Sequence, residues 1–594
     1  MVETTTQYDS KIYDDAVNVF SKIEFEIVDT DAYEDAGTLT VTSENGFSRK
    51  DQTTDLSREL SGKFLTWEED YVILDGSVVL PPKATETGYQ VGWWSDEISQ
   101  ADKTFSTPQV YTKNFNSAQS SIGITVTFQE DEYAEDFTIQ VYDASDVLID
   151  SDTVTGNTEY KYVWQASLSD YRKVVITFTK TANAKRMVRV VEVDWGIIKE
   201  YTDDNIVDFD ILKEVDLISN ELTSDEINFK IDNTAAEFNP LNPVGFYPFL
   251  EKRQKIIPYL GLDLGSSTEW IQMGIFYLTN WFNKPGGLTA DFTARGILDI
   301  MKQHDFRKGM LESETATNRL TEVFTDFGLT SDEYNIDSAL DSITLTGNLP
   351  VVDYCEAIRL IAQAGNAVVY EDREGVIQVK QLTLTASVDT IDFDNAYEIP
   401  GLNLTKRINT TNVEINEYTA KASSETVYDG TVVINGTEDV WIEYKEFPAK
   451  SLSSVVTGAT SVNSETYYSN AALLNITASG SVTITTTGTV WERAKSIYPV
   501  TASDKTSDEK ILAEQIDNPL IATTSIADSV GSYIMDELEK RVINDIKWTG
   551  NMAHELNDII VVEDEFSENK ESRIYQNEFV YDGALICYTK SKGV

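Results

Sequence analysis

Cysteine, histidine and positive charge are scarce in this chain, and each scarcity closes off a class of chemistry. Cys355 and Cys587 are the only cysteines, and both fall in apolar periodic segments. A disulfide scaffold is excluded as the source of stability, and two buried free thiols are favoured over one bridge, which points to synthesis in a reducing compartment. The only histidines are His304 and His554. Neither has metal-ligand spacing, and His554-Glu555 runs on into Leu-Asn-Asp, without the second histidine of a His-Glu-x-x-His zinc site. No Gly-x-Ser-x-Gly elbow or catalytic cysteine context accompanies them, so structural or surface roles are expected for both. The segment 261–265, GLDLG, lacks the lysine and the helix of a phosphate-binding loop. No apolar run reaches the roughly 20 residues that span a bilayer. The first residues, MVETTT, have neither the basic region nor the apolar core of a secretory signal, so none is expected. With 47 Lys and Arg against 99 Asp and Glu, the net charge of −52 repels nucleic acid and anionic membranes. No specific nucleic-acid binding and no membrane segment follow.

Acid and short β-strands are what the chain has in quantity. The acids run from Glu3 to Asp582 rather than gathering in a tail, and alternating segments such as 122–128 (IGITVTF) and 412–416 (NVEIN) lie between them. Disordered acidic tails lack such periodicity. With 41% hydrophobic and 11% aromatic residues over 594 positions, roughly four domains with their own cores are expected. The fold class is mainly β and multi-domain. Paired carboxylates at glycosidase spacing arise by chance among 99 acids and carry no specificity. No catalytic residue is assigned, and the chain is not expected to be an enzyme.

Six segments are expected. Residues 1–80 form an N-terminal β segment, in which the acidic loop 29–37 only superficially resembles a calcium site. An EF-hand loop starting at Asp29 needs glycine at its sixth position and glutamate at its twelfth, where Glu34 and Thr40 stand, so a solvated turn is expected. Calcium held by acidic clusters would offset the charge, but no motif specifies it and no cofactor is assigned. After Leu80-Pro81-Pro82, residues 81–196 read as an antiparallel sandwich with strands at 122–128, 137–142, 160–164, 174–178 and 188–193. Trp93, Trp94 and Tyr111 fall in its early loops. Exposed aromatic rings stack on sugars and buried ones fill sandwich cores; as exposed rings these three are the candidate carbohydrate contacts. Residues 197–310 read as a barrel-like sheet. Residues 311–399 form a small α/β unit, with a helix at 315–327 stopped by Gly328 and a second helix capped by Asp353 with Glu356 three residues on. That second helix breaks at Gly365-Asn366 into a hairpin of 367–370 and 376–379. Residues 400–500 return to β, and 501–594 add a helix around Ile526, Val530, Tyr533, Ile534 and Leu538 and then further strands.

The order of three stretches resembles the baseplate hub or tail-associated proteins of tailed bacteriophages and prophages. One is MGIFYLTNW at 273–281 with LTADFTA at 288–294 and LDI at 298–300. Another is the helix and hairpin of 352–380, with its YEDREGVI turn at 370–377. The last is NPLI at 518–521, a helix, then KWTGN at 547–551, ELND at 555–558 and IVV at 560–562. There the chain departs from the family pattern with Met552 for a proline, His554 for an apolar residue and Asn557 for a glycine. The front end, LTWE at 65–68 through VILDGS at 72–77, is also similar, and the block 81–196 resembles a galactose-binding-like jelly roll inserted into the hub.

The resemblance implies a structural protein of the virion tail baseplate, made in the bacterial host cytoplasm. It implies a homotrimeric ring that joins the tail tube to the tail tip and lets DNA pass. Its partners would be copies of itself, tail-tube and distal-tail or adaptor proteins, tail-tip, spike or receptor-binding proteins, and a host cell-surface glycan. Two alternatives stand beside it: a carbohydrate-binding host-recognition tail protein, and a tail-associated cell-wall hydrolase.

Overall fold

In the strand Glu226–Asp232 every second residue is apolar, and Ile227, Phe229 and Ile231 point into one core while Asn228 and Lys230 face outward. The same alternation recurs along most of the chain, and in the computed structural model it builds a set of packed sheets. The structure describes residues 1–14, 17–56, 58, 60–68, 78–83, 86, 88–242, 245–506, 511–563 and 569–593. The family-like segment 72–77 lies outside the described residues.

The largest sheet has 14 strands and is discontinuous in sequence. From one edge the order is Gly401–Leu404, Val542–Trp548, Leu585–Gly593, Asn569–Tyr581, Ile206–Glu214, Glu226–Asp232, Thr289–Arg295, Phe276–Phe282, Lys255–Asp263, Val19–Val28 and Gly196–Thr202. Three shorter strands, Thr268–Gln272, Ile559–Glu563 and Asp389–Ile391, branch from it. One core fills its inner face, with Phe25 edge-on to Phe292 at 5.4 Å and Phe229 stacked on Phe292 at 5.0 Å. Tyr8 from the first helix and Trp548 and Cys587 from the last strands belong to that same core.

The sandwich is a 7-stranded sheet. The strands expected at 160–164 and 174–178 belong to one strand, Lys161–Thr181, which pairs with the still longer Thr104–Phe128 through several register shifts. Such bulges bend both strands around the aromatic core of Phe128, Phe137, Phe178 and Trp195. Residues 1–80, expected as one hub segment, divide between the sheets: Val19–Val28 lies in the large sheet and Thr38–Val41 pairs with the sandwich. The acidic loop between them is not a solvated turn. Asp29 caps the short helix Thr30–Glu34 and accepts from the Ser120 amide at 3.1 Å. Asp35 accepts from the Asn116 and Ser117 amides at 2.8 and 2.9 Å. Burial opposes ionisation of Asp35, but these hydrogen bonds outweigh it and hold the carboxyl at about 2.

The helices Ala316–Phe327, Tyr354–Ala364 and Thr524–Glu539 share a second core with the hairpin Ala367–Glu371 and Ile377–Gln381. Gly328 ends the first of them in the left-handed region, as its position predicts. Asp353 caps the second through the Glu356 amide at 2.9 Å, but the reciprocal half of the capping box is missing because the Glu356 carboxylate pairs with Arg359. Residues 400–500 serve two cores rather than one. The 31-residue strand Ala471–Thr501 pairs along its first two thirds with Glu425–Glu443, around Ile434, Leu474 and Ile484. Its last third pairs with Thr410–Ala420, whose Val413 and Ile415 join the helical core.

Candidate functional site

The three stretches that carry the family resemblance meet at one buried side chain. Arg373, at the tip of the hairpin turn, reaches into the core of the large sheet. Its guanidinium donates to the Gln272 carbonyl at 3.2 Å, to Met273 Sδ at 3.0 Å and to the His554 carbonyl at 2.5 Å. Gln272 Nε2 returns a bond to the Arg373 carbonyl at 2.7 Å. Phe579 lies below the guanidinium at 5.8 Å. No carboxylate is among these partners, and burial pulls the Arg373 pKa below its usual value. A guanidinium has donors only, so three carbonyl and sulfur acceptors from two sequence-distant segments, the end of the strand Thr268–Gln272 with Met273 after it and the loop at 554, are held by one cation. Glycine is required next to this junction. Gly375 has φ +76° with Ile275 3.2 Å from where a Cβ would stand, and Gly550 has φ +89° with Cys587 Sγ at 2.2 Å from its own.

A second charged strut lies beside the first. Lys213 Nζ meets Asp225 at 2.9 Å inside the protein, and Glu371 faces both. Glu371 accepts from the Ile297 and Leu298 amides at 2.8 and 3.1 Å and so ties the hairpin to the helix Ile297–Met301. Burial, then the neighbouring Asp225 carboxylate, push the Glu371 carboxyl up to about 8.

Trp93, Trp94 and Tyr111 are interior, contrary to their expected role as sugar contacts. Each is at most 1% exposed. Trp93 Nε1 donates to the Ser43 carbonyl at 2.9 Å, and Trp94 Nε1 donates to the Val91 carbonyl at 2.9 Å. The Tyr111 hydroxyl lies 3.0 Å from Thr53 Oγ1, and the Arg189 guanidinium stacks on Trp94 at 4.1 Å. Large apolar rings whose N–H and O–H groups find internal partners gain more from burial than from solvent, so no face is left for a sugar.

His554 is buried against Asp389, whose carboxylate accepts from the imidazole Nε2 at 2.7 Å and also from the Tyr13 hydroxyl. Burial opposes ionisation of Asp389, and the His554 hydrogen bond overrides it, so its pKa falls below the usual value. His304 is exposed. Cys355 and Cys587 are free and buried, and burial raises both thiols. Beside Asp389 opens a cleft of about 1270 Å³ lined by six aspartates and no lysine or arginine. Four of the six are already engaged: Asp14 pairs with Lys11, Asp203 accepts from the Ser21 amide and the Tyr581 hydroxyl, Asp389 from His554, and Asp392 from the Asp394 and Asn395 amides. Among the described residues no group of three or more His, Cys, Asp or Glu side chains is placed to hold a metal ion. No helix among the described residues is long and apolar enough to cross a membrane.

No family model matches the chain, and no curated protein matches it. Among solved structures it is similar to the 43 kDa tail protein of prophage MuSo2 from Shewanella oneidensis. That likeness has 13% identity and a TM-score of 0.37, over 66% of this chain and 95% of that one. It is also similar to the tail protein from Neisseria meningitidis MC58, with 8% identity and a TM-score of 0.40, over 66% of this chain and 93% of that one. A third likeness, to chitosan-binding module 1 of a chitosanase/glucanase from Paenibacillus sp. IK-5, has 15% identity and a TM-score of 0.18, over 27% of this chain and 96% of that module. All three likenesses are remote.

The Arg373 junction was partly legible in the sequence, since the arginine stands inside a quoted motif. What the sequence did not give is its direction: arginines in hairpin turns ordinarily point to solvent.

Proposed function

We propose that this chain is a structural hub protein in the tail of a tailed phage or phage-like particle. In this reading three copies form a ring that joins the tail tube to the tail tip and leaves a passage for DNA. The observation that carries it is the convergence on Arg373. Segments around 273, 373 and 554, which resemble the hub family in separate places, are bonded to one guanidinium. A frame closed by buried struts between sequence-distant segments suits a part whose work is to hold shape under load. The acid suits it too, because a wall rich in carboxylate does not retain passing DNA. The reading assigns no catalytic role to any residue, and its partners are copies of the chain and neighbouring tail proteins.

Light scattering on the purified protein, with and without calcium, tests the reading. A species near three times 66.5 kDa supports it. A strict monomer at every concentration and salt, which also fails to associate with tail-tube protein, overturns it.

A further inference from the structure

A pocket of about 510 Å³ opens where the large sheet meets the helical core, lined by Arg253 and Arg307 and by Asp305 and Asp326. Asp305 pairs with Arg307 at 3.1 Å, and Asp326 pairs with Lys308 at 2.6 Å and accepts from the Tyr354 hydroxyl at 2.8 Å. Arg253 is left over. Its guanidinium touches no acid among the described residues and instead lies 2.9 Å from His304 Nε2. Since the guanidinium can only donate, the imidazole accepts at Nε2 and its remaining proton is on Nδ1. A cation capped by a histidine is out of keeping with a chain that has 99 acids and 47 Lys and Arg.

The backbone bears this out independently. Arg253 has φ +74°, a left-handed conformation unfavourable for an arginine, and it is held there by its amide donating to the Leu278 carbonyl at 2.9 Å. His304 is fixed from the other side, its amide bonded to the Met301 carbonyl and its carbonyl accepting from the Tyr354 amide. Phe327, edge-on to the His304 ring at 6.1 Å, and Tyr354 form an aromatic wall. The fold thus aims a guanidinium and an imidazole at one space with an apolar side.

We infer that this pocket binds a small anionic ligand through a phosphate or carboxylate group, with Arg253 and His304 as its anchors. A planar guanidinium takes such a group in a two-pronged grip, and the imidazole, accepting from the guanidinium at Nε2, positions it in the pocket. The size and the aromatic wall suit a ligand of about one sugar ring. The inference does not depend on how many copies assemble.

Ligand-observed NMR on the full-length protein is the test, with inorganic phosphate followed by ³¹P line broadening and glucuronate by saturation transfer. The expected result is saturable binding of at least one of the two, no binding of neutral glucose, and an affinity at least tenfold lower in Arg253→Gln and in His304→Gln. Arg253→Gly serves as a second variant, since glycine suits the left-handed backbone and keeps the fold. Binding of phosphate alone assigns the pocket to phosphate groups, and binding of glucuronate alone assigns it to sugar acids. No saturable binding of either anion up to 50 mM, or equal binding in wild type and Arg253→Gly, overturns the inference.

Discussion

Arg373 shows how one side chain can hold a large frame without any ion pair. Its three acceptors lie on two segments distant in sequence, 272–273 and 554, and a neutral side chain of similar length leaves them buried and unbonded. Arg373→Met should therefore cost about 3 kcal/mol, within the range for stranding buried polar groups. Thermal unfolding should show the loss, and limited proteolysis should open the 367–381 hairpin first. A midpoint unchanged from wild type would mean that packing alone holds the junction. Glu371 adds a pH signature. Its carboxyl is pushed from an ordinary 4.5 up to about 8, so the folded state binds the proton more tightly than the unfolded chain. Between those two values stability falls as pH rises, because the unfolded glutamate ionises freely and the folded one does not. Glu371→Gln keeps one of the two acceptor oxygens that the Ile297 and Leu298 amides use and removes the titration. Its unfolding midpoint should rise relative to wild type between pH 5 and pH 8, and a constant difference across that range would contradict the account.

At the scale of elements, the strand Ala471–Thr501 shows one local pattern shared between two pairings. Its alternation of apolar and hydroxyl side chains says strand throughout, yet the partner changes near Trp491, where Ala420 of the neighbouring strand is paired. Everything between those two residues loops out and closes its own core around Ile434, Leu474 and Ile484. Its ties to the rest include Lys450 with Glu312 at 3.0 Å and Ser469 with Asn348 at 2.7 Å. Replacing residues 422–489 with a two-residue turn should therefore leave a hairpin of 410–420 and 491–501, and a protein that still unfolds cooperatively. Calorimetry on the shortened chain checks this, and an insoluble or molten product would show that the outer core is needed for the inner one. The helix Tyr354–Ala364 gives a smaller test. Asp353→Ala removes its cap and should cost about 1 kcal/mol in chemical unfolding.

For the whole molecule the governing quantity is a charge of −52. Copies brought together repel one another over the Debye length, roughly 10 Å at 0.1 M salt and 3 Å at 1 M. Self-association should consequently strengthen as salt rises, the reverse of an assembly held by ion pairs. Light scattering at 0.05 and 0.5 M sodium chloride checks the sign, and dissociation at the higher salt would point instead to interfaces built on opposite charge. The fourteen-stranded sheet carries a related consequence. Its first and last strands in sequence, Val19–Val28 and Leu585–Gly593, are both interior to it, so truncation at either end opens the main core rather than trimming an edge.

The amino-acid sequence by itself determined the mainly β character, the acid surface, the helices at 316–327, 354–364 and 524–539, and the hairpin of 367–381. These follow from periodicity and capping, which act between neighbours a few residues apart. It also set out in order the stretches that resemble tail hub proteins. Only the tertiary structure decided that Trp93, Trp94 and Tyr111 face inward, that residues 1–80 and 400–500 each divide between two sheets or cores, and that Arg373, Glu371 and the pair Arg253–His304 meet their partners. Those outcomes depend largely on contacts between residues fifty or more positions apart. The free energy of burying a ring or a charge is set by what surrounds it, and periodicity along the chain carries no information about that.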